Sequence, residues 1–288
     1  FPPIETTVVM SNWLYKKNIP FYVDIKDLWP EYFYVRFEKS FLKLFFIKNI
    51  FYIYDLFLIK SLKKATAFCS NNKFFLEHIL KKIGVKRNKF DTICYLTKKI
   101  KKRINIQKLK KNILDNQIFN IYYGGNINFF QGDLLCFLDA IKNLQKQKVR
   151  FSVYFAGYGE NVKLLNEKIS QLKLKSVYFL GYITSEDHLY LIKNCHLVFN
   201  GTKNSINYTN NLSNKVIECL QLRTPIIYCL KGDLKKILTK YNIGIHYKQG
   251  NTIDLSLKLK KLILDKSFYL KKTKNFSNPK FSYLYDHE

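Results

Sequence analysis

Between Ser213 and Cys229 the chain reads SNKVIECLQLRTPIIYC, and this stretch holds the residues best suited to chemistry. Ser213 is placed to cap a short helix whose apolar face is Val216, Ile217 and Leu220, at three-to-four spacing. Glu218 falls one helical turn beyond Asn214, so the two point the same way. A carboxylate there can accept two hydroxyls, and the N–H groups of the first turn can hold a phosphate. Together these groups would suit a nucleotide-linked sugar. Spacing alone equally allows a solvated Glu on an amphipathic helix.

Two further loops carry glycines where a strand would hand over to a helix. In YYGGNINFFQGD, Tyr122 to Asp133, Gly124 and Gly125 let the backbone pass close to a phosphate, and Asn126 and Gln131 add neutral donors. FAGYGE, Phe155 to Glu160, repeats the arrangement with Gly157 and Gly159, without the third glycine of a dinucleotide fingerprint. Paired glycines also serve ordinary tight turns. The three loops gain weight only if one sheet presents them at one edge.

The pattern of the second half predicts such a sheet. From Ile118 the apolar runs IFNIYYG, RFSVYFAG, SVYFLG, HLVFNG, PIIYC and GIHY alternate with amphipathic stretches near Asp133–Lys146, Asn161–Leu172, Glu186–Asn194, Asn214–Leu222 and Leu234–Tyr241. Continuous apolar strands separated by single helices imply a parallel sheet covered on both faces, which binds ligands beyond the carboxyl ends of its strands. The first half is less regular. A strand at Phe21–Ile25 leads to the turn KDLWPEYF and a long helical segment; a strand at Ala65–Ser70, a helix near Asn72–Lys82 and a strand at Asp91–Leu96 follow. The lysine-rich Lys98–Lys111 reads as a solvated linker.

Composition narrows the partners. The chain has 288 residues and a net charge of +28, from 49 basic and 21 acidic residues. Its only arginines are Arg36, Arg87, Arg103, Arg150 and Arg223. Readers of nucleic acid lean on arginine for bidentate and stacked contacts, so a lysine excess points instead to an anionic membrane surface or diphosphate ligands. The cysteines, at 69, 94, 136, 195, 219 and 229, form no CxxC pair and read as reduced core residues. The longest apolar stretch, Phe41 to Ile59, is broken by Lys43, Lys48 and Asp55, so it does not read as a membrane span. With Lys60, Lys63 and Lys64 beside it, it would either dock on a membrane surface or lie partly buried in the domain. The five histidines read as structural or surface residues, and His188 and His196, eight apart, have no third metal ligand nearby.

The series GGNINFFQG, FAGYGE, VYFLGYITSEDHLYLIKNCHLVFNG and SNKVIECLQLRTPII resembles the donor domain of glycosyltransferase family four, which are retaining enzymes of the GT-B fold. PFYVDIKDLWPEYF resembles the amino-terminal domain of a bacterial subgroup that builds surface polysaccharides, including O-antigen and capsule. The resemblance implies an α/β protein with two Rossmann-like domains facing across a cleft. Residues 1–113 would be an acceptor-side domain with its linker, 114–270 the nucleotide-sugar domain, and 271–288 a tail. It implies transfer, with retention, from a nucleotide sugar (UDP first) to a lipid-linked saccharide at the inner face of the cytoplasmic membrane. By that likeness Glu218 binds the ribose hydroxyls. Ser213, Asn214 and Lys215 lie near the donor, and Gly125, Asn126 and Gln131 near the diphosphate.

The sequence departs from the family at several places. The family's first carboxylate, eight positions before Glu218, falls on Asn210, so its two-glutamate motif is incomplete. Lys26, followed by Asp27, stands where the family often has His or Arg, and the pair would face the acceptor as catalytic residues. Family members begin with further strands and a glycine-rich loop that nothing here matches, so the likeness implies a missing opening to the amino-terminal domain.

A diphosphate leaving group carries its charge without much acid help, so positioning and neutralisation are the main tasks. Lys215 and the loop amides near Gly125 are the expected neutralising groups. No Asp-x-Asp occurs, so neither a metal ion nor another cofactor is expected. Nothing resembles the facing carboxylates of a glycosidase. Two rivals share the pattern: a nucleotide-sugar epimerase of the same architecture and an inactive, truncated glycosyltransferase.

Overall fold

Apolar runs that do not alternate need cover on both faces, and the second half of the chain supplies it. In the computed structural model, which describes residues 3–31, 34, 40–93, 113–115, 117–209 and 213–275, the six runs form six parallel strands. They are β4 (Phe119–Gly124), β5 (Phe151–Ala156), β6 (Val177–Phe179), β7 (Leu197–Asn200), β8 (Ile226–Tyr228) and β9 (Ile245–His246), in the order β6-β5-β4-β7-β8-β9. The strand order reverses between β4 and β7, where a parallel sheet leaves a crevice beyond its carboxyl ends. The helices α4 (Leu134–Lys146), α5 (Val162–Gln171), α6 (Ser185–Asn194), α8 (Asn214–Leu222) and α9 (Gly232–Lys240) form where the amphipathic stretches predict them. The core stacks Phe137 of α4 on Phe199 of β7 with ring centres 3.8 Å apart.

The first half holds a three-stranded parallel sheet, β1 (Tyr22–Ile25), β2 (Ala67–Ser70) and β3 (Thr92–Ile93), in that order. Helix α2 (Phe41–Leu62) buries only Leu58, Ser61 and Leu62. Helix α3 (Lys73–Ile83) is capped at both ends: the Asn72 side chain accepts the Phe75 N–H at 2.8 Å, and Gly84 closes it with φ +68°. The expected linker, Lys98–Lys111, lies outside the described residues, as does Asn210.

The chain divides into two compact units, Phe1–Leu96 with Ser205–Asn211 and Thr97–Asn204 with Leu212–Glu288. A segment between β7 and α8, including the short helix α7 (Ile206–Thr209), therefore clusters with the first unit, which a single boundary at 113 does not anticipate. Within that unit the Asn207 side chain accepts the buried Leu28 N–H at 2.9 Å.

Three other helices went unread. For α1 (Ile4–Lys16) the physical reason is plain: it buries only Ile4 and Ser11, so no apolar stripe marks it. Helix α10 (Thr252–Leu264) does carry a legible signal, with Leu255, Leu259 and Leu262 buried and Asn251 accepting the Asp254 N–H at 2.9 Å. Helix α11 (Lys266–Lys274) crosses the boundary expected at 270.

One part-buried charge cluster ties the turn after β1 to α2 and α3. Lys82 Nζ on α3 lies 2.9 Å from Glu31 Oε1 and 2.6 Å from the Asp55 carboxylate on α2, and His78 Nε2 lies 3.1 Å from Glu31 Oε1. Burial alone would raise the Glu31 carboxyl, but His78 and Lys82 hold it down at about 2. Asp55 goes the other way, because burial outweighs Lys82. Glu31 thus adds stability above its ordinary value of 4.5, and that contribution is lost as pH falls toward 2. Lys82→Met leaves two part-buried carboxylates without their cation and should cost about 3 kcal/mol at neutral pH. The loss should shrink as acid protonates both carboxyls. Urea unfolding of wild type and variant across pH checks this; a loss that does not change with pH contradicts it.

Candidate functional site

Strands β4 and β5 run side by side with Gly124 opposite Ala156, so the loops after them leave the same edge of the sheet. Those loops are bonded to each other. Gly125 N–H donates to the Ala156 carbonyl at 3.0 Å, Ile127 N–H to Tyr158 at 2.7 Å, and Gly157 N–H to Gly181, beyond β6, at 2.8 Å. Glycine makes this possible at two positions. At Gly157 (φ +138°) a β-carbon would fall on the carbonyl oxygen of Gly125, and at Gly159 (φ +152°) on that of Ile127. The amides of Gly125 and Ile127 are therefore occupied in bracing the turn. Asn126 is exposed, and its carbonyl accepts the Tyr123 hydroxyl at 2.7 Å. Gln131 donates its backbone N–H to Asn128 Oδ1 at 3.0 Å.

Helix α8 brings the charged groups to this edge. Lys215 lies over the Tyr123 ring, with Nζ 4.1 Å from its centre and 3.5 Å from where a β-carbon of Gly125 would stand. The residue is half-buried, and burial lowers its amine to about 8. Asn214 is exposed. Ser213 stands at the amino end of α8, but its carbonyl, not its side chain, receives the helix N–H groups of Val216 and Ile217. Its hydroxyl is buried without a hydrogen-bond partner, so the expected side-chain cap is not formed.

Glu218 sits one turn along α8 and is held by a residue that sequence reasoning set aside. His188 Nε2, on α6, lies 3.0 Å from Glu218 Oε2, and His188 Nδ1 lies 2.8 Å from the Tyr122 hydroxyl. Gly124 makes room for this row, because a β-carbon there would meet the Tyr122 hydroxyl and stand 2.6 Å from His188 Cε1. The first glycine of the pair thus serves side-chain packing. The signal was present as a tyrosine two residues before a glycine, but it has no meaning until α6 is placed over β4. His196 is structural, as expected: its Nδ1 accepts the Asn120 N–H at 3.0 Å.

Lys26 and Asp27 belong to the first unit, just beyond β1. Lys26 Nζ is paired with Asp24 at 2.9 Å, so it is not an uncommitted cation, and burial raises the Asp27 carboxyl. Among the described residues no cluster of His, Cys, Asp and Glu could hold a metal ion.

The bracing of the loops can be tested directly. Gly157→Ala should destabilise the protein by about 3 kcal/mol or more, since backbone must move. Gly181→Ala, at φ +70° with nothing within 4 Å, should cost only about 1 kcal/mol. Equal shifts in denaturant midpoint would contradict the geometry.

Comparison with known proteins agrees with this architecture. The family model described as "Glycosyl transferases group 1" matches residues 133–279. No curated protein matches. Among solved structures, Anabaena Alr3699/HepE in complex with UDP superposes with a TM-score of 0.71 at 15% identity, covering 98% of this chain and 73% of that one. Its complex with UDP-glucose gives 0.70 at 17% identity, with coverage of 98% and 73%. A glycosyltransferase from Rickettsia africae gives 0.58 at 15% identity, covering 95% and 75%. The matched residues span half of the chain and include α4 through α11, with Lys215 and Glu218 among them. The chain belongs to the glycosyl transferases group 1 and is a glycosyltransferase of the GT-B fold.

Proposed function

We propose that the protein transfers a sugar from a UDP-sugar to a lipid-linked saccharide during synthesis of a cell-surface polysaccharide such as O-antigen or capsule, as a family four enzyme acting with retention. The observation that carries the donor half is the arrival of Lys215 beside Gly125, with Glu218 one helical turn beyond it. A ribose needs an acceptor for its two hydroxyls, and a diphosphate needs a cation in a poorly hydrated place. Glu218 and Lys215 meet those needs from one helix, with Ser213, Asn214, Asn126 and Gln131 beside the donor. The structural relatives support the choice of nucleotide, since Alr3699/HepE was solved with UDP and with UDP-glucose. Lys215 neutralises the departing diphosphate, and no metal ion takes part. Lys26 and Asp27 serve the acceptor, where the raised carboxyl of Asp27 suits it to take the proton of the attacking hydroxyl.

Incubation with UDP-sugars and a lipid-linked saccharide should release UDP and extend the acceptor. Glu218→Ala should lower UDP affinity about tenfold or more in calorimetry. Unchanged affinity removes the ribose role, and altered sugar without an acceptor makes the protein an epimerase.

The acceptor half of the proposal places the protein on the inner face of the cytoplasmic membrane. No helix among the described residues is long and apolar enough to cross a membrane. Helix α2 nevertheless exposes Phe41, Leu42, Phe46, Tyr52 and Phe57, each more than half accessible, with Lys43, Lys48 and Lys60 interleaved. Aromatic residues among lysines suit an anionic bilayer surface. The protein should co-sediment with vesicles containing anionic lipid and not with neutral ones, and the pair Phe46→Ser and Phe57→Ser should weaken that binding about tenfold. Equal binding to both kinds of vesicle contradicts this placement.

A further inference from the structure

We propose that His188 is the positioning residue for the Glu218 carboxylate, with Tyr122 as its support, and that the row Tyr122–His188–Glu218 sets a preference for ribonucleotide over deoxyribonucleotide donors. This rests on the reading of Glu218 as the ribose-binding group.

Three elements contribute one member each: β4 gives Tyr122, α6 gives His188 and α8 gives Glu218. Tyr122 is fully buried, with its hydroxyl 2.8 Å from His188 Nδ1; a carboxylate can only accept, so Nε2 of the neutral ring faces Glu218 with its hydrogen and Nδ1 accepts from the phenol. The two partners together select one tautomer. Nε2 then carries the hydrogen and donates it to Glu218 Oε2 across 3.0 Å. The carboxylate is thereby held in one plane, and Oε1, which has no partner among the described residues, is left to accept the vicinal hydroxyls of a ribose. The His188 and Glu218 side chains are 23% and 28% accessible, so an incoming ligand can reach the carboxylate while its support stays packed.

Packing shows that the row is built into the fold. The ring of His188 occupies the space a side chain at Gly124 would need, and its centre lies 5.6 Å from that of Tyr122. A carboxylate on a flexible stem loses rotamer freedom when it binds, and a fixed partner removes that cost before the ligand arrives. A nucleotide without ribose hydroxyls gains nothing from the fixed carboxylate. The row should therefore act on discrimination and leave diphosphate affinity alone.

Calorimetry with UDP and with 2′,3′-dideoxy-UDP on the full chain tests this, with thermal unfolding run on each variant. The wild type should favour UDP, and Glu218→Ala should abolish the preference. His188→Phe should weaken UDP about fivefold and leave the dideoxy nucleotide unchanged, whereas His188→Gln, which keeps a donor, should restore most of the loss. If His188→Phe weakens both nucleotides equally, or keeps the wild-type preference while Glu218→Ala loses it, the positioning role is overturned and the ribose reading of Glu218 stands. If Glu218→Ala keeps the preference, the ribose reading fails and takes this proposal with it. Should His188→Phe not fold, Tyr122→Phe removes a single oxygen and probes the same row. The preference should then fall about twofold, and an unchanged preference overturns the proposal.

Discussion

Backbone lies directly on backbone where β4 and β5 end, and the remainder of the site is arranged around that contact. The Gly125 amide reaches the Ala156 carbonyl, while Gly157 sits so close to the Gly125 oxygen that no side chain can stand between them. Neighbouring parallel strands in register deliver both turns to one edge, and the bond from Gly157 to Gly181 extends the brace to β6. Two turns that cannot move independently make a firm floor, and Lys215 then has a defined place above Gly125. The amides of Gly125, Ile127 and Gly157 are spent on that brace. The charged side chains at this edge come from α8, and the glycines act by what they leave out.

Much of this was legible in the residues. The six apolar runs became strands because a doubly covered parallel sheet demands unbroken apolar stretches, and the loops between them could fall nowhere but the strand ends. What was not legible depended on contacts between distant elements. Tyr122 and His188 are 66 residues apart and His188 and Glu218 30 apart, so no local spacing announces the row. Gly124 was visible, but its purpose was not, since the histidine that excludes a β-carbon arrives from α6. Ser213 shows the converse case: the right residue type at the right place forms no side-chain cap. Helix α10 could have been found from its leucine spacing, whereas α1 offers no stripe to find.

Charge separates into a diffuse and a focused part. Most lysines are solvated, and the field they set up is one that salt screens. Lys82 and Lys215 stand apart because each is partly buried. Lys82 is 12% accessible and ties Glu31 to Asp55, so it holds the turn after β1 in place. Lys215 has no carboxylate of its own within ion-pair distance among the described residues, and burial lowers its amine to about 8. A structural cation finds its counter-charge inside the fold. A cation left waiting for an external anion has the character of a ligand-binding group.

The central claim is that the turns at Gly125 and Gly157 and the first turns of α8 form one nucleotide-diphosphate site. A crystal structure of the protein soaked with UDP tests it most directly. The ribose hydroxyls should lie about 3 Å from the Glu218 carboxylate, and the diphosphate should lie within ion-pair distance of Lys215 Nζ. UDP bound elsewhere in the second unit, with Glu218 still contacting only His188, would contradict the account.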